Sequence, residues 1–147
     1  MEQLDGGWGI VWQHVSKPKV KPVEEHALGF VGATADTWGF AAIQLEPGLF
    51  ACHFQSGERW DVRVGSGTVF GAVNLWPDQL LIKLEDDGRT ISGIGVEGSQ
   101  TLFKANAPVT AGAVSPNACA VATNEGTLDI WDLREQAFRA RINLRKP

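Results

Sequence analysis

SPNACAVATNEGTLDIWDL, from Ser115 to Leu133, is the stretch that decides the fold of this chain. Ser115-Pro116-Asn117 has turn chemistry, because proline presets φ and the flanking polar side chains bond their own backbone. Ala118 to Ala122 is an apolar run of strand length. Asn124-Glu125-Gly126 turns the chain again, with glycine free to take the left-handed conformation. Thr127 to Asp132 holds β-branched and aromatic residues, which suit a second strand. Working outward, Val109 to Val114 supplies a strand before this hairpin. After it, Phe138, Ala140, Ile142 and Leu144 alternate with Arg139, Arg141 and Asn143, the period of a half-exposed strand. Residues 109–144 therefore read as four short strands in sequence.

The same layout occurs twice upstream. Residues 27–64 (ALGFVGATADTWGFAAIQLEPGLFACHFQSGERWDVRV) and 69–107 (VFGAVNLWPDQLLIKLEDDGRTISGIGVEGSQTLFKANA) each read strand, turn, strand, glycine turn, strand, connection, strand. The glycines closing the middle turns are Gly48, Gly88 and Gly126, at spacings of 40 and 38. A repeat of that period with four strands is one blade of a β-propeller, for which about 40–45 residues are usual. The second strands, Phe40 to Leu45, Leu80 to Leu84 and Ala118 to Ala122, are apolar on both faces, as expected of sheets covered on both sides. In the first repeat Trp60, Val62 and Val64 oppose Arg59, Asp61 and Arg63, the pattern of an outer edge strand.

The third repeat closely resembles a WD40 repeat. Ser115 and Pro116 sit where that family turns into its second strand. Thr123, Glu125 and Gly126 sit at its middle turn, and Trp131-Asp132 is the dipeptide that names the family. A second such dipeptide, Trp60-Asp61, falls in the wrong strand. The first two repeats are degenerate, with His53-Phe54 and Gly93-Ile94 at the Trp-Asp positions. The family's glycine-histidine dipeptide is missing, although Glu25-His26 precedes the first repeat at a similar place. The resemblance spans residues 27–144 as repeats but reaches motif strength only over 109–144. It implies an incomplete version of the family's buried hydrogen-bond network, partly retained by Thr123, Glu125 and Trp131. It also implies a rigid, non-catalytic scaffold that binds other proteins.

Composition agrees with an all-β class. The 147 residues include 17 glycines, 6 tryptophans and 44% hydrophobic residues, without the Ala/Glu/Lys/Leu-rich blocks of a helical bundle. No run of 18 apolar residues exists and the start lacks the layout of a signal peptide, so no membrane association is expected. Net charge is -4, with a local +4 over residues 134–147, a distribution that argues against a general nucleic-acid binder. Cys52 and Cys119 are far apart in apolar runs, which predicts two buried thiols and a cytoplasmic setting.

Gly7 lies 41 residues before Gly48 and is followed by Trp12 as Gly126 is by Trp131. Residues 5–23 then read as half a blade, with Lys19 to Val23 as its outer strand, and the whole chain as a single partial propeller of about three and a half blades. Closed propellers have about four to eight. The expected partner is another chain that completes or stacks on the propeller. A different protein is favoured over a second copy, since two identical half-blades do not complement each other simply. A fragment of a longer propeller protein is the alternative origin. A β-sandwich is disfavoured because it does not need a 40-residue repeat.

Few residues offer chemistry. His14, His26 and His53 form no metal-ligand pair. Cys52 and His53 are adjacent on a strand and so point to opposite faces, which rules out a nucleophile–base pair. Glu85-Asp86-Asp87-Gly88 reads as a solvated hairpin turn rather than a calcium loop. Gly93, Gly95 and Gly98 match a G-x-G-x-x-G spacing but open no helix, so no phosphate cradle is expected. No catalytic residue, cofactor or metal is expected. An enzyme or small-ligand binder using a propeller channel is the competing reading, disfavoured because the inner strands begin with small apolar residues. Partner contacts are expected at Trp38 and Trp76, in equivalent rim turns, and at Arg139, Arg141 and Arg145 in the basic end.

Overall fold

The computed structural model describes residues 27–34, 39–75 and 77–144. They form twelve strands in three antiparallel sheets, each built from four consecutive strands. The first sheet holds β1 (Gly29–Ala33), β2 (Phe40–Glu46), β3 (Leu49–Phe54) and β4 (Arg59–Arg63). The second holds β5 (Thr68–Leu75), β6 (Asp78–Leu84), β7 (Thr90–Gly95) and β8 (Gly98–Lys104). The third holds β9 (Val109–Val114), β10 (Ala118–Thr123), β11 (Thr127–Asp132) and β12 (Ala137–Asn143). The half-blade expected over residues 5–23 lies outside the described residues.

Gly48, Gly88 and Gly126 close the β2–β3, β6–β7 and β10–β11 turns with φ of 79°, 75° and 82°. These are left-handed values that a side chain disfavours, so the repeat's period is set by backbone geometry. In the acidic turn, the Asp87 carboxylate accepts bonds from the Arg89 amide at 2.9 Å, the Thr90 amide at 2.8 Å and the Thr90 hydroxyl at 2.6 Å. These donors hold its pKa down at about 2, and they account for the turn as hairpin chemistry.

The sheets stack through their innermost strands, β1 against β5 and β5 against β9. The approach is close enough to demand glycine. A Cβ at Gly112 on β9 would lie 2.7 Å from Phe70 Cε2, and one at Gly71 on β5 would collide with Val114. Two apolar clusters fill the spaces between sheets. Phe40, Ala42, Phe50, Cys52, Ala72, Leu81 and Ile94 join the first sheet to the second. Val73, Leu80, Ile82, Ile91, Leu102, Phe103, Cys119 and Val121 join the second to the third.

Strand β6 is buried on both faces from Leu80 to Lys83, as its unbroken apolar run predicts. Strands β2 and β10 differ from that expectation. Their apolar residues alternate between buried and half-buried, because each belongs to a sheet with one neighbour among the described residues. The outer strands β4 and β12 are largely exposed. No helix in the described residues is long and apolar enough to cross a membrane.

Candidate functional site

The residues that resemble the WD40 motif build a structural turn. Thr123 Oγ1 lies 2.8 Å from Thr127 Oγ1 and accepts the Glu125 amide at 3.3 Å, which braces the β10–β11 hairpin. Ser115 and Pro116 occupy the exposed β9–β10 turn, where the Ser115 amide donates to the Ala118 carbonyl at 2.9 Å. Asp132 accepts the Glu135 amide at 2.8 Å, which together with Arg139 holds its pKa below the ordinary value. Trp131 stands apart from this network. Its ring stacks on Phe103 at 4.4 Å and 9°, and meets Phe138 edge-on at 5.5 Å. Its buried Nε1 has no hydrogen-bond partner among the described residues.

The arginines of the basic end are tied to their own sheet. Arg139 reaches Glu135 at 2.6 Å and Asp132 at 3.4 Å. Arg141 forks onto Asp129 with Nε at 2.7 Å and Nη2 at 3.0 Å. Both guanidinium pKa values rise, chiefly through the hydrogen bonds to Glu135 and Asp129 respectively. Arg145, Trp38 and Trp76 lie outside the described residues.

Two surfaces remain that could engage a partner. The first is the outward face of the third sheet. The register places Ala120 and Ala122 of β10 beside Leu128 and Ile130 of β11, with Ala113 and Ile142 flanking them. The corresponding face of the second sheet carries Ile82 and Ile91, which the third sheet covers completely. On the third sheet nothing comparable is covered: Leu128 and Ile130 are half-buried, Ala113 is exposed and Ile142 is 47% exposed.

The second is a cleft between the first and second sheets, with a volume of about 690 Å³. Its origin lies in the register. Trp131 pairs with Cys119 on β10 and stacks on Phe103, which pairs with Ile91 on β7. One interface earlier, the equivalent positions are Ile94, paired with Leu81, and Val62, paired with Phe50. Two aliphatic side chains thus stand where two stacked rings fill the next interface, and the missing volume is the cleft. Lys83, only 7% exposed, lies in its wall and donates to the Val64 carbonyl at 2.7 Å, with Glu85 at 3.2 Å.

Sequence reading missed Asp129, Lys83 and the cleft. An acid within TLDIWD and a lysine within LLIKL were the available signals, but their partners depend on strand register. The two cysteines fall in different clusters and are both free and buried. Burial pushes the Cys52 thiol up to about 11 and the Cys119 thiol up to about 12, so neither is a nucleophile at neutral pH. Among the described residues no group of three metal-ligating side chains forms.

No family model matches the chain, and no curated protein matches it. Solved structures do. Apo AztD from Citrobacter koseri is similar at a TM-score of 0.52 and 14% identity, over 81% of this chain and 35% of that one. The computationally designed Ika4 protein is similar at 0.51 and 15% identity, over 88% of this chain and 81% of that one. The chain spans about a third of the AztD chain it resembles. At such identities the likeness concerns fold alone. Together with the three stacked four-stranded sheets, it establishes an all-β partial propeller of about three blades.

Proposed function

We propose that this chain is a non-catalytic, WD40-like scaffold that assembles with another protein chain through the outward face of its third sheet. The observation that carries the reading is the contrast between equivalent positions: Ile82, Ile91 and Phe103 are buried on the second sheet, while their counterparts on the third are half-buried at Ala120 and Leu128 and exposed at Ile142. An apolar sheet face of this kind is stabilised by another layer. The partner supplies a blade-like sheet whose large aliphatic side chains complement the alanines of β10. A different protein is favoured over a second copy, and the two buried thiols support a cytoplasmic setting. The inner strands support a binding role rather than catalysis, since GFVGA, GAV and AGAV offer no acid, base or nucleophile.

The test is to purify the tagged chain from its native host at native level and to weigh the product by light scattering. A stoichiometric complex that dissolves when Ile142→Arg is introduced is the expected result. A monodisperse monomer, or a complex indifferent to that substitution, overturns the reading. A second copy as the partner would replace the heteromeric form with a homomeric one.

A further inference from the structure

The cleft between the first and second sheets has the size of a ligand site, for which about 300–1,000 Å³ is usual. Its lining comes mainly from β4 and the β7–β8 hairpin rather than from the innermost strands. The next interface shows what fills the equivalent space. There Trp131 and Phe103 stack at 4.4 Å and 9°. Around the cleft, Ile94 and Val62 hold the same register positions. A seat that two flat rings fill in one interface is thus bounded in the other by two aliphatic side chains. Spaces left where a large apolar group is missing take up small aromatic molecules.

Two further features narrow the occupant. The first is an aromatic wall held in place. Trp60 lines the cleft half-buried, its ring meets Phe54 edge-on at 4.7 Å, and Phe54 in turn stacks on Phe40 at 5.4 Å. A ring fixed by its neighbours can receive another ring without losing freedom of its own. The second is charge. The ionic groups of the lining already have opposites: Arg59 with Asp61 at 2.6 Å, Arg63 with Glu46 at 3.8 Å, and Lys83 with Glu85 at 3.2 Å and the Val64 carbonyl at 2.7 Å. A charged ligand would leave water without gaining a fresh counter-ion, whereas a neutral one loses nothing of that kind.

We propose that the cleft binds a free, neutral, planar aromatic molecule about the size of indole, seated between Val62 and Ile94 against Trp60. A free molecule is favoured over a protein side chain because the contacts that recommend the seat are those of a ring alone, and a small ligand buries most of its surface in a cleft of this size. This site goes beyond the scaffold reading and uses a different surface. A partner at the third sheet can be found with this cleft empty, and the cleft can be filled with the third sheet bare, so the two fail independently.

The test uses the full chain with methyl-labelled Ile and Val, titrated with indole and followed by NMR. Saturable shifts of the methyl groups of Val62, Val64 and Ile94 are the expected result. Cyclohexanol, neutral but not planar, should bind about tenfold more weakly. Indole-3-acetate, which adds a negative charge, should bind no more tightly than indole. Ile94→Trp fills the seat as Trp131 fills its own, and should abolish the shifts. Val62→Phe fills it from the opposite wall and gives the same loss should Ile94→Trp fail to fold. Absent or unsaturable shifts overturn the proposal. So does equal binding of cyclohexanol, tighter binding of indole-3-acetate, or undiminished binding by a folded seat-filling variant. Tighter binding of the peptide Gly-Gly-Trp-Gly-Gly than of indole would assign the seat to a protein side chain and overturn it too.

Discussion

Asp129 and Arg141 face each other across β11 and β12, joined by two hydrogen bonds of 2.7 and 3.0 Å, with the carboxylate only 1% exposed. Arg141→Ala leaves that carboxylate buried without its cation. The expected outcome is a fall in Tm of several degrees, measured by circular dichroism. Asp129→Leu combined with Arg141→Leu removes both charges and should recover most of the loss. Recovery in the double variant separates an electrostatic cause from lost packing.

The Trp131 side chain is held by ring contacts and by the apolar cluster between the second and third sheets. Trp131→Ala removes the stack on Phe103 and the edge contact with Phe138, and should destabilise by about 3 kcal/mol in urea. Trp131→Phe keeps a ring and deletes an Nε1 that has no partner among the described residues, so it should cost about 1 kcal/mol or less. A large loss in the phenylalanine variant would mean that the indole nitrogen is bonded after all.

Two glycines of the inner strands, Gly71 and Gly112, have no room for a Cβ where sheets meet. Gly112→Ala drives a methyl toward Phe70, at 2.7 Å from Cε2 before relaxation. Overpacking of this kind should cost about 1–3 kcal/mol. Gly29→Ala on β1 meets nothing within 4 Å and serves as the control, with a change near zero. The two urea midpoints decide the point.

The buried thiols give the stability an alkaline edge. An unfolded thiol ionises near 9.0, whereas burial raises Cys52 to about 11 and Cys119 to about 12. The folded state then holds its protons more tightly, so this contribution is complete below about pH 9 and is lost as pH climbs toward the folded values. Denaturant midpoints at pH 8 and pH 10.5 should differ by less in Cys52→Ala/Cys119→Ala than in the unsubstituted chain. Both thiols should also react slowly with a disulfide reagent until the chain unfolds.

Most of the fold was legible because it rests on local signals. Gly48, Gly88 and Gly126 announce the hairpin turns through a backbone requirement that only the sequence position sets. The apolar run of β6 announces burial on both faces. The candidate sites were much less legible, since they arise between strands. Nothing in the sequence near Ile94 shows that it stands where the next blade has Trp131; only the pairing with Leu81 reveals the correspondence. Arg141 reads as a partner contact of the basic end for the same reason, because Asp129 is twelve residues away and becomes its neighbour only in register.

The second sheet is the shared wall of both apolar clusters. Among the described residues the three sheets therefore form a short linear array with one interior member and two ends. Loss of an end dissolves one interface, but loss of the middle dissolves both, so unfolding must proceed inward and amide exchange must be slowest along β6. A partner seated on the third sheet would convert that end into an interior. Its assembly would then register as slowed exchange in β10 and β11, the two strands that it covers.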